Sequence, residues 1–417
     1  MLKQVEGSQA VAEAIALCRP EVICAYPITP QTHIVEGLSK LARTGELGNC
    51  QYINVESEFA AMSACIGASA AGARTYTATS SQGLLFMAEA VYNASGLGLP
   101  IVMTVGNRAI GAPINIWNDH SDSMAMADAG WIQLHAESNQ EAVDLHIQAF
   151  RLAEQLSVPV MVCEDGFILT HAYERVDVPD PDQVDRYLPA FEPVQMLDPE
   201  EPITMGAMVG PEAFMEVRYL AHHKQLQAID VIPELSAEFE TVFGRESGGL
   251  IKPYRTEGAE TVVIALGSVI GSIKDVVDEL RDDDVAIGAI KVVSFRPFPL
   301  AQLRDALADA ERVVVVEKDL ALGLGGIVAS NVRMALRGLR TPVYTVIAGL
   351  GGRPITKQSL HRVFAQAGAD EIDDPHFLDL DLAVVDRELA RAREKRRSGP
   401  IAENILRDMG LVGGKLG

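Results

Sequence analysis

Polar side chains that could bind a ligand follow several predicted strands, at the points where those strands end. Arg108 follows an apolar strand, and a guanidinium group in that place suits bidentate binding of a carboxylate. Thr29 lies between Pro27 and Pro30, where its hydroxyl either faces a crevice or caps a helix that begins at Pro30. The carboxyl ends of parallel strands meet at one edge of a sheet, and ligands bind there. We therefore expect these turns to line one crevice.

Two acidic residues, Glu56 and Glu58, follow another predicted strand and precede a helix rich in small residues. The positive end of a helix dipole stabilises a carboxylate, so a structural role would suffice for either one. Alternatively, one of the two is buried toward a ligand. A hydroxyl-rich turn, residues 77–83, follows the next strand and includes Ser81 and Gln82. This turn either offers donors to a polar ligand or caps the next helix.

A long loop follows Arg108 and ends in the run Asp119, His120, Ser121 and Asp122. Loops of this length within compact domains usually have a function. Its acidic and imidazole side chains could form a metal or acid–base cluster. The alternative is a hydrogen-bonded network on the surface of the loop.

Helix-like and strand-like segments alternate along the first 170 residues. Apolar runs predict strands at residues 21–26, 52–55, 74–78, 100–105 and 158–163. Helical spacing predicts helices at residues 7–17, 30–41, 58–71, 82–95 and 140–155. This alternation predicts an α/β fold with a parallel sheet that is covered by helices on both faces.

A second alternating pattern begins near residue 261. It predicts strands at residues 262–265, 285–293, 313–316 and 343–347, and helices at 273–280, 301–307 and 327–336. We expect domains at residues 1–240 and 255–370 and a C-terminal helical arm at 371–417, with a charged helix at 380–397. Residues 176–205 are rich in Pro and Asp and predict a linker excursion, whereas residues 203–255 show no clear pattern.

Composition excludes several classes of protein. The net charge of −22 argues against a nucleic-acid surface and against binding to an anionic membrane. No apolar run reaches the roughly 18 residues of a membrane span, and the N-terminus does not resemble a signal peptide, so we expect a cytoplasmic protein. Five scattered cysteines predict neither a disulfide framework nor a zinc or iron–sulfur site, and most are expected to be buried as small apolar side chains.

Several short motifs occur in a characteristic order. In the first half they are Tyr26-Pro27-Ile28-Thr29-Pro30, Glu56-Ser57-Glu58, Thr79-Ser80-Ser81-Gln82-Gly83, Asn107-Arg108-Ala109 and Trp117-Asn118-Asp119-His120. In the second half they are Ala265-Leu266-Gly267-Ser268, Ser294-Phe295-Arg296-Pro297, Glu317-Lys318-Asp319 and Gly349-Leu350-Gly351-Gly352-Arg353. Together they resemble the alpha subunit of the pyruvate:ferredoxin oxidoreductase family of 2-oxoacid:acceptor oxidoreductases. The resemblance covers about residues 7–370.

This resemblance implies a thiamine-diphosphate-binding, pyrimidine-type parallel-sheet domain followed by a smaller transketolase C-terminal-like α/β domain. Glu58 matches the acid that hydrogen-bonds the aminopyrimidine ring of thiamine diphosphate. The roles implied are catalytic for Glu58, Thr29 and Arg108, cofactor-binding for Glu58, Thr29, Ser81 and Gln82, and substrate-binding for Arg108, Thr29, Gly111 and Asn115. No metal ligand is expected in this chain.

The resemblance also implies partner chains. A pyrophosphate–Mg²⁺ site in a thiamine enzyme needs Gly-Asp-Gly, which this chain lacks, and no array of cysteines could hold a cluster. Thiamine diphosphate would thus be shared with a partner, and partner subunits (beta, gamma and a ferredoxin-like delta) would hold Mg²⁺ and [4Fe-4S] clusters. The complex, expected to be a dimer of heteromers, would pass electrons to ferredoxin or to an NAD/flavin subunit, with coenzyme A as co-substrate.

The substrate would be a small-molecule 2-oxo acid. Gly111 stands where many members of the family carry Ser, and a glycine beside Arg108 would leave room for a 2-oxo acid bulkier than pyruvate, such as phenylglyoxylate or a branched-chain acid; neutral variation is the alternative. Two other functions remain open. One is a subunit of a thiamine-dependent transferase of the transketolase or synthase type without clusters, and the other is a non-catalytic scaffold.

Overall fold

The structure, a computed structural model, describes residues 2–202, 204–394 and 400–411. Two sheets form its centre. Side by side, the strands of the first sheet are β12 (Ser294–Arg296), β6 (Ile132–His135), β7 (Val160–Asp165), β5 (Val102–Asn107), β4 (Thr75–Thr79), β2 (Val22–Ala25) and β3 (Gln51–Asn54). All pairings are parallel except that of β12 with β6. The parallel sheet predicted from alternation is therefore confirmed.

Helices cover this sheet on both faces. They are α1 (Gly7–Leu17), α2 (Thr32–Thr44), α3 (Glu58–Ala70), α4 (Ser81–Phe86), α5 (Ala88–Gly96), α6 (Ser121–Ala125) and α7 (Asn139–Leu156). Strands buried on both faces are rich in apolar residues, and every residue of β4, β5 and β7 is buried. The single helix predicted at residues 82–95 is wrong, because Met87 separates α4 from α5.

The second sheet is smaller and is also mainly parallel. Its strands, side by side, are β15 (His376–Phe377), β14 (Val343–Ile347), β13 (Arg312–Glu317), β10 (Thr261–Ala265), β11 (Ile287–Val292) and β9 (Ile251–Tyr254), with only β9 antiparallel. Its helices are α10 (Val269–Asp282), α11 (Leu300–Ala306), α12 (Ile327–Ala335) and α13 (Lys357–Gly368). The strand predicted at residues 285–293 ends at Val292, and the next strand, β12, extends the first sheet instead.

The segments between and after the sheets differ more from expectation. An antiparallel pair, β1 (Leu2–Glu6) and β8 (Tyr173–Asp177), was not predicted. The stretch expected to be a linker contains α8 (Pro181–Tyr187), and the unassigned stretch contains the 30-residue helix α9 (Phe214–Phe243). None of the described helices is long and apolar enough to cross a membrane.

In the described part of the C-terminal arm the helices are α14 (Leu382–Arg393) and α15 (Ile401–Asp408). The first agrees with the predicted charged helix, whose end at residues 395–397 lies outside the described residues. Of the five cysteines, four are buried and Cys50 is partly buried, and none forms a disulfide. The expectation that most are small buried side chains is confirmed.

Candidate active site

The carboxyl ends of β5, β4, β2 and β3 lie side by side at one edge of the first sheet. The chain passes from β2 to β3 on one side, and then crosses to the other side of β2 to form β4, so the direction in which strands are added reverses between β2 and β4. Open parallel sheets bind ligands in the crevice at such a switch point. The buried Gln31 amide bridges it by donating to the carbonyl oxygens of Tyr26 (2.9 Å) and Ala78 (3.2 Å). Sequence reasoning did not single out Gln31.

Glu58 is the first residue of α3, and its side chain lies against the turn that follows β4. The residue is 7% exposed, whereas Glu56, two positions earlier, is exposed. Among the residues that the structure describes, none forms a hydrogen bond with the Glu58 carboxyl. A Cβ added to Gly83 would lie 2.7 Å from Glu58 Oε1 and 2.6 Å from Thr79 Oγ1. A buried carboxyl that has no hydrogen-bond partner among the described residues therefore lies next to a glycine in this crevice.

The turn after β4 holds its own polar groups tightly. Ser81 has a φ of +49°, and its hydroxyl lies within hydrogen-bond distance of the Ala109 carbonyl oxygen (2.6 Å) and of Gln82 Oε1. The hydroxyl is thus engaged within the protein rather than free for a ligand. Gln82 is only half-buried, and its Nε2 group lies beside Gly111.

Asp122 joins the turn after β4 to the start of the long loop. Its carboxylate accepts hydrogen bonds from the backbone N–H groups of Ser81 (2.9 Å), Arg108 (3.0 Å) and Ser123 (2.8 Å), and from Asn107 Nδ2 (2.7 Å). Burial raises the pKa of this carboxyl to about 6, although these four bonds act in the opposite direction. Asp122 therefore has a structural role, which its position in the sequence did not reveal.

Arg108 reaches across the crevice toward the turn after β2. Its Nη1 donates to the carbonyl oxygen of Thr29 (2.9 Å) and its Nε to that of Asn115 (3.2 Å). Burial lowers the pKa of the guanidinium, and the nearby Asp122 charge raises it. Within the described part of the chain, no hydrogen bond is made by Nη2, which leaves donors for an anionic ligand.

The Thr29 side chain is exposed, and it does not cap a helix. The helix α2 begins at Thr32, with Gln31 in the capping position, so the predicted start at Pro30 is wrong. The Thr29 hydroxyl makes no hydrogen bond among the described residues, and only its carbonyl oxygen is engaged, by Arg108. The structure thus brings Thr29 and Arg108 together as predicted.

Gly111 does not open space for a ligand as expected. A Cβ placed on Gly111 would lie 2.5 Å from Gln82 Nε2, so the Gln82 amide already occupies that position. The absence of a side chain on Gly111 accommodates Gln82 and provides no evidence for a larger substrate.

The long loop is fixed to the second half of the chain. Asn115 Nδ2 donates to the carbonyl oxygen of Gly351 (3.2 Å), and Asn115 Oδ1 accepts from the Trp117 N–H (2.8 Å). Asp119 Oδ2 accepts from the Gly351 N–H (3.1 Å). Because both polar groups of the Asn115 side chain are engaged, Asn115 holds the loop in position rather than presenting a free group to a ligand.

Asp119, His120 and Asp122, at the end of this loop, form neither the predicted metal or acid–base cluster nor a hydrogen-bonded network on the surface. Asp119, His120 and Asp122 are 4%, 1% and 0% exposed, and their side chains bind different partners. Asp119 accepts from backbone N–H groups and Asp122 from backbone N–H groups and Asn107, whereas His120 Nε2 lies 2.5 Å from Asp165 Oδ1. Both interpretations from the sequence are therefore corrected by the burial and the directions of these side chains.

Asp165, at the end of β7, is the centre of a buried network between the two sheets. Lys318 Nζ lies 2.9 Å from Asp165 Oδ2, and the Ser268 backbone N–H donates to the same oxygen (3.0 Å). Burial alone would raise the pKa of Asp165, but the charge of Lys318 and the contacts with His120 and Ser268 outweigh it and hold the pKa well below its usual range. Sequence reasoning used Lys318 only as part of a motif and missed this pair.

Glu164, beside Asp165, is fully buried, and neither carboxyl oxygen has a hydrogen-bond partner within the described residues. His146 Nε2 is 4.0 Å away, but it is engaged by Thr104 Oγ1 (2.5 Å), and burial lowers the pKa of His146 to about 4. A neutral imidazole does not form an ion pair. Burial raises the pKa of Glu164 from 4.5 to about 8, so the group is protonated at neutral pH.

Replacing Glu164 by glutamine is expected to make the folded protein less sensitive to rising pH. A carboxyl whose folded pKa is raised contributes stability below its unfolded pKa and loses it as pH rises to the folded value. Between pH 4.5 and 8 the variant should gain about 1.4 kcal/mol per pH unit over the wild type, as an upper limit. Denaturant unfolding of both proteins at pH 5, 6.5 and 8 measures this, and parallel pH profiles would refute the buried neutral carboxyl.

Comparisons with known proteins show the family to which this chain belongs. Residues 13–236 match the family model for the thiamine diphosphate-binding domain of pyruvate flavodoxin/ferredoxin oxidoreductase, and residues 259–360 match pyruvate:ferredoxin oxidoreductase core domain II. Pyruvate synthase subunit PorA of Methanosarcina barkeri is 50% identical over 87% of this chain and 91% of its own length. Ketoisovalerate oxidoreductase subunit VorA of Pyrococcus abyssi is 41% identical over 85% of this chain and 90% of its own length.

Solved structures show the same fold. The 2-oxoglutarate:ferredoxin oxidoreductase from Magnetococcus marinus superposes with a TM-score of 0.65 at 21% identity, over 88% of this chain and 65% of that one. At that identity the likeness shows the fold alone. The family-model match over more than half of the chain, together with the 50% identical relative, shows that this chain belongs to the pyruvate flavodoxin/ferredoxin oxidoreductase family.

Proposed function

We propose that this chain is the alpha subunit of a multi-subunit 2-oxoacid oxidoreductase that converts pyruvate and coenzyme A to acetyl-CoA, CO₂, a proton and two electrons. The observation that carries the proposal is Glu58, a buried carboxyl at the carboxyl edge of the first sheet that has no hydrogen-bond partner among the described residues. Relatives that are 50% and 47% identical to this chain are named pyruvate synthase subunits.

The crevice fits the aminopyrimidine end of thiamine diphosphate. Buried polar atoms that have no hydrogen-bond partner within the described part of the chain line it, among them Thr79 Oγ1, Ser80 Oγ and Gln31 Oε1. Gly83 lacks the Cβ that would crowd Glu58. When bound, thiamine diphosphate would supply a nucleophilic carbon and an electron sink for the decarboxylation of a 2-oxo acid.

The chain's own residues bind and orient the reactants. Glu58 would hold a proton shared with the pyrimidine nitrogen, and a dry site strengthens that hydrogen bond. The Nη2 donors of Arg108 would bind the carboxylate of the 2-oxo acid. The exposed Thr29 hydroxyl would lie near that carboxylate, because the carbonyl oxygen of Thr29 accepts a hydrogen bond from Arg108. Gln82 is the half-buried amide available to cofactor or substrate. Ser81 and Asn115 position these groups through the bonds described above.

Pyruvate is the proposed substrate, with a branched-chain 2-oxo acid as the second candidate. The position beside Gly111 is filled by Gln82, so the expected reason for a bulkier substrate is absent. The second candidate is supported by the 41% identity with a subunit named ketoisovalerate oxidoreductase.

Partner subunits would complete the enzyme. We propose beta, gamma and ferredoxin-like delta subunits in a dimer of heteromers. They would hold the pyrophosphate, Mg²⁺ and [4Fe-4S] clusters, with ferredoxin or an NAD/flavin subunit as the final acceptor. The absence of cluster-ligating cysteine arrays in the sequence is consistent with this division. A location in the cytoplasm remains a prediction.

The test is a panel of 2-oxo acids assayed on the native complex. Pyruvate should support the fastest coenzyme A-dependent reduction of an artificial electron acceptor, ahead of 3-methyl-2-oxobutanoate, 2-oxoglutarate and phenylglyoxylate. The purified complex should contain iron and absorb visible light. Faster turnover of the branched acid would establish the second candidate, and a colourless, iron-free complex would instead support the transferase.

A smaller change should disturb Glu58 indirectly. In Gly83→Ala the new Cβ would meet Glu58 Oε1 and Thr79 Oγ1 at less than 3 Å, so the carboxyl must move. We expect the thiamine diphosphate concentration for half-maximal activity to rise about tenfold, which corresponds to about 1.4 kcal/mol. Gly67→Ala, in α3 with open space around it, is the matched control and should leave cofactor binding unchanged. Equal cofactor requirements in both variants would exclude the proposed contact.

A further inference from the structure

Three potential metal ligands from separate segments meet near the N-terminus. They are Glu6 at the end of β1, His33 in the first turn of α2, and His171 just before β8. One ligand atom from each lies within 4.8 Å of the others, and Glu6 Oε1 is 2.5 Å from His33 Nδ1. None of the three belongs to the crevice described above.

The backbone holds two of these residues in place. The β1–β8 pairing puts Glu6 opposite Tyr173, two positions from His171. The Gly7 N–H donates to the carbonyl oxygen of Ala172 (3.0 Å) and the Ser8 N–H to that of Thr170 (2.9 Å), so main-chain bonds hold the residues on both sides of His171 to the segment that follows Glu6. Their separation therefore does not depend on flexible side chains alone.

The Nδ1 atom of His171 has a hydrogen-bond partner that can fix the orientation of the ring, as partners of metal-binding histidines do. Thr170 Oγ1 lies 2.8 Å from His171 Nδ1 and also accepts from the Phe167 N–H (2.8 Å). An imidazole held through Nδ1 presents Nε2 with a fixed orientation. The ring centroids of His33 and His171 are 4.5 Å apart, with the ring planes tilted by 35°, so the two imidazoles lie side by side near the Glu6 carboxylate.

We propose that Glu6, His33 and His171 bind a divalent transition-metal ion, with zinc as its representative. Two imidazoles and one carboxylate are a ligand set that suits Zn²⁺ and Co²⁺ and leaves a coordination position for water. His33 is exposed and the other two are half-buried, so an ion can enter from solvent. This differs from the expectation that the chain supplies no metal ligand. The alternative is a Glu–His hydrogen bond without an ion.

The site would report its occupancy through a neighbouring tryptophan. The His171 ring contacts Phe167 at 4.7 Å between centroids, and Phe167 contacts Trp117 at 4.7 Å. The only other tryptophan, Trp131, is fully buried and donates to the carbonyl oxygen of Val91. Co²⁺ bound at the proposed site should therefore quench the fluorescence of Trp117.

The experiment uses the full-length chain after removal of metals with a chelator. Titration with Zn²⁺ and with Co²⁺ should show one tight ion per chain, and Co²⁺ should add visible absorption bands. His33→Gln, His171→Gln and Glu6→Gln should each weaken binding at least tenfold. His223→Gln, an exposed histidine on α9, is the matched control and should bind normally.

Two results would overturn the proposal. One is a metal titration in which the wild type binds no stoichiometric Zn²⁺ or Co²⁺, or binds the ion with the same affinity as both His33→Gln and His171→Gln. The other is Co²⁺ quenching that persists undiminished in Trp117→Phe, because the ion would then lie elsewhere. Circular dichroism of the variants separates lost binding from misfolding, and His33→Gln, at an exposed position, should fold normally.

Discussion

Replacing Glu58 by glutamine is expected to lower the turnover of the assembled complex by at least about a hundredfold, the typical contribution of a positioned acid–base group. Glutamine preserves the size and a hydrogen bond to the pyrimidine ring, but it cannot carry the proton. The carboxyl has no protein partner among the described residues, so its removal breaks no internal hydrogen bond. Folding and assembly should be retained, and the loss should fall on kcat.

The free energy of unfolding of Glu58→Gln should differ little from that of the wild type, because a carboxyl group in the first turn of α3 interacts only weakly with the helix. A carboxylate there interacts with the helix dipole by about 0.3–1 kcal/mol, and the N-cap bond from the Ala60 N–H to Ser57 Oγ remains. Steady-state rates with saturating cofactor and 2-oxo acid measure the effect. Glu58→Ala should additionally raise the concentration of thiamine diphosphate required, since it removes the contact altogether.

Glu56→Gln provides the matched control. Glu56 is two residues away and exposed, so its variant should turn over at close to the wild-type rate. If Glu58→Gln retained more than half of the wild-type kcat, or if both variants lost activity equally, the proton-holding role would not belong to Glu58. The scaffold interpretation would then become the stronger one.

Much of the crevice was predictable, because it depends on local patterns. Helical spacing placed α1 at residues 7–17, and apolar runs placed the strands whose ends carry Thr29, Glu58 and Arg108. The rule that parallel strands end at a common edge then brings those residues together without further information. The pattern could not tell that the Ser81 hydroxyl would be engaged by Ala109, because that bond joins residues 28 positions apart.

Other features depended on contacts that no local pattern records. The helix α9 contains Pro233 and carries exposed apolar residues in its first half, so neither propensity nor periodicity marked it. Asp122 looked like a member of an acidic loop, and only the fold shows it beneath the N–H groups of Ser81 and Arg108. Gly111 suggested an open space, whereas the fold places Gln82 there.

The buried Asp165–Lys318 pair is expected to contribute strongly to stability, because it joins the end of β7 in the first sheet to the residue that follows β13 in the second. The two residues are 1% and 3% exposed, and Gly267, which lacks a Cβ, approaches His120 and Asp165 closely. Removing one partner of a buried ion pair leaves an uncompensated charge and costs about 3–5 kcal/mol. Lys318→Met and Asp165→Asn should therefore each lower the free energy of unfolding by that amount.

A double variant measures how much of the stability comes from the interaction between Asp165 and Lys318 themselves. If the two charges interact directly, Asp165→Asn with Lys318→Met should destabilise the protein by less than the sum of the single changes. Asp278→Asn removes the exposed pair with Arg255, and it should lower the free energy of unfolding far less than either single change at the buried pair. Denaturant unfolding measures all four variants, and a Lys318→Met effect as small as that of Asp278→Asn would contradict the prediction.

The stability that Asp165 contributes should depend on pH in a defined direction. Because the folded pKa of Asp165 is held well below its ordinary value of 3.8, its contribution is present above that value and is lost as pH falls through the folded pKa. The difference between the wild type and Asp165→Asn should therefore be constant from pH 6 to 8 and shrink under acid conditions. Glu164, one residue earlier on the same strand, should show the opposite trend, because its pKa is raised. Adjacent carboxyls on β7 would thus respond to pH in opposite directions, since only Asp165 is paired with a buried cation.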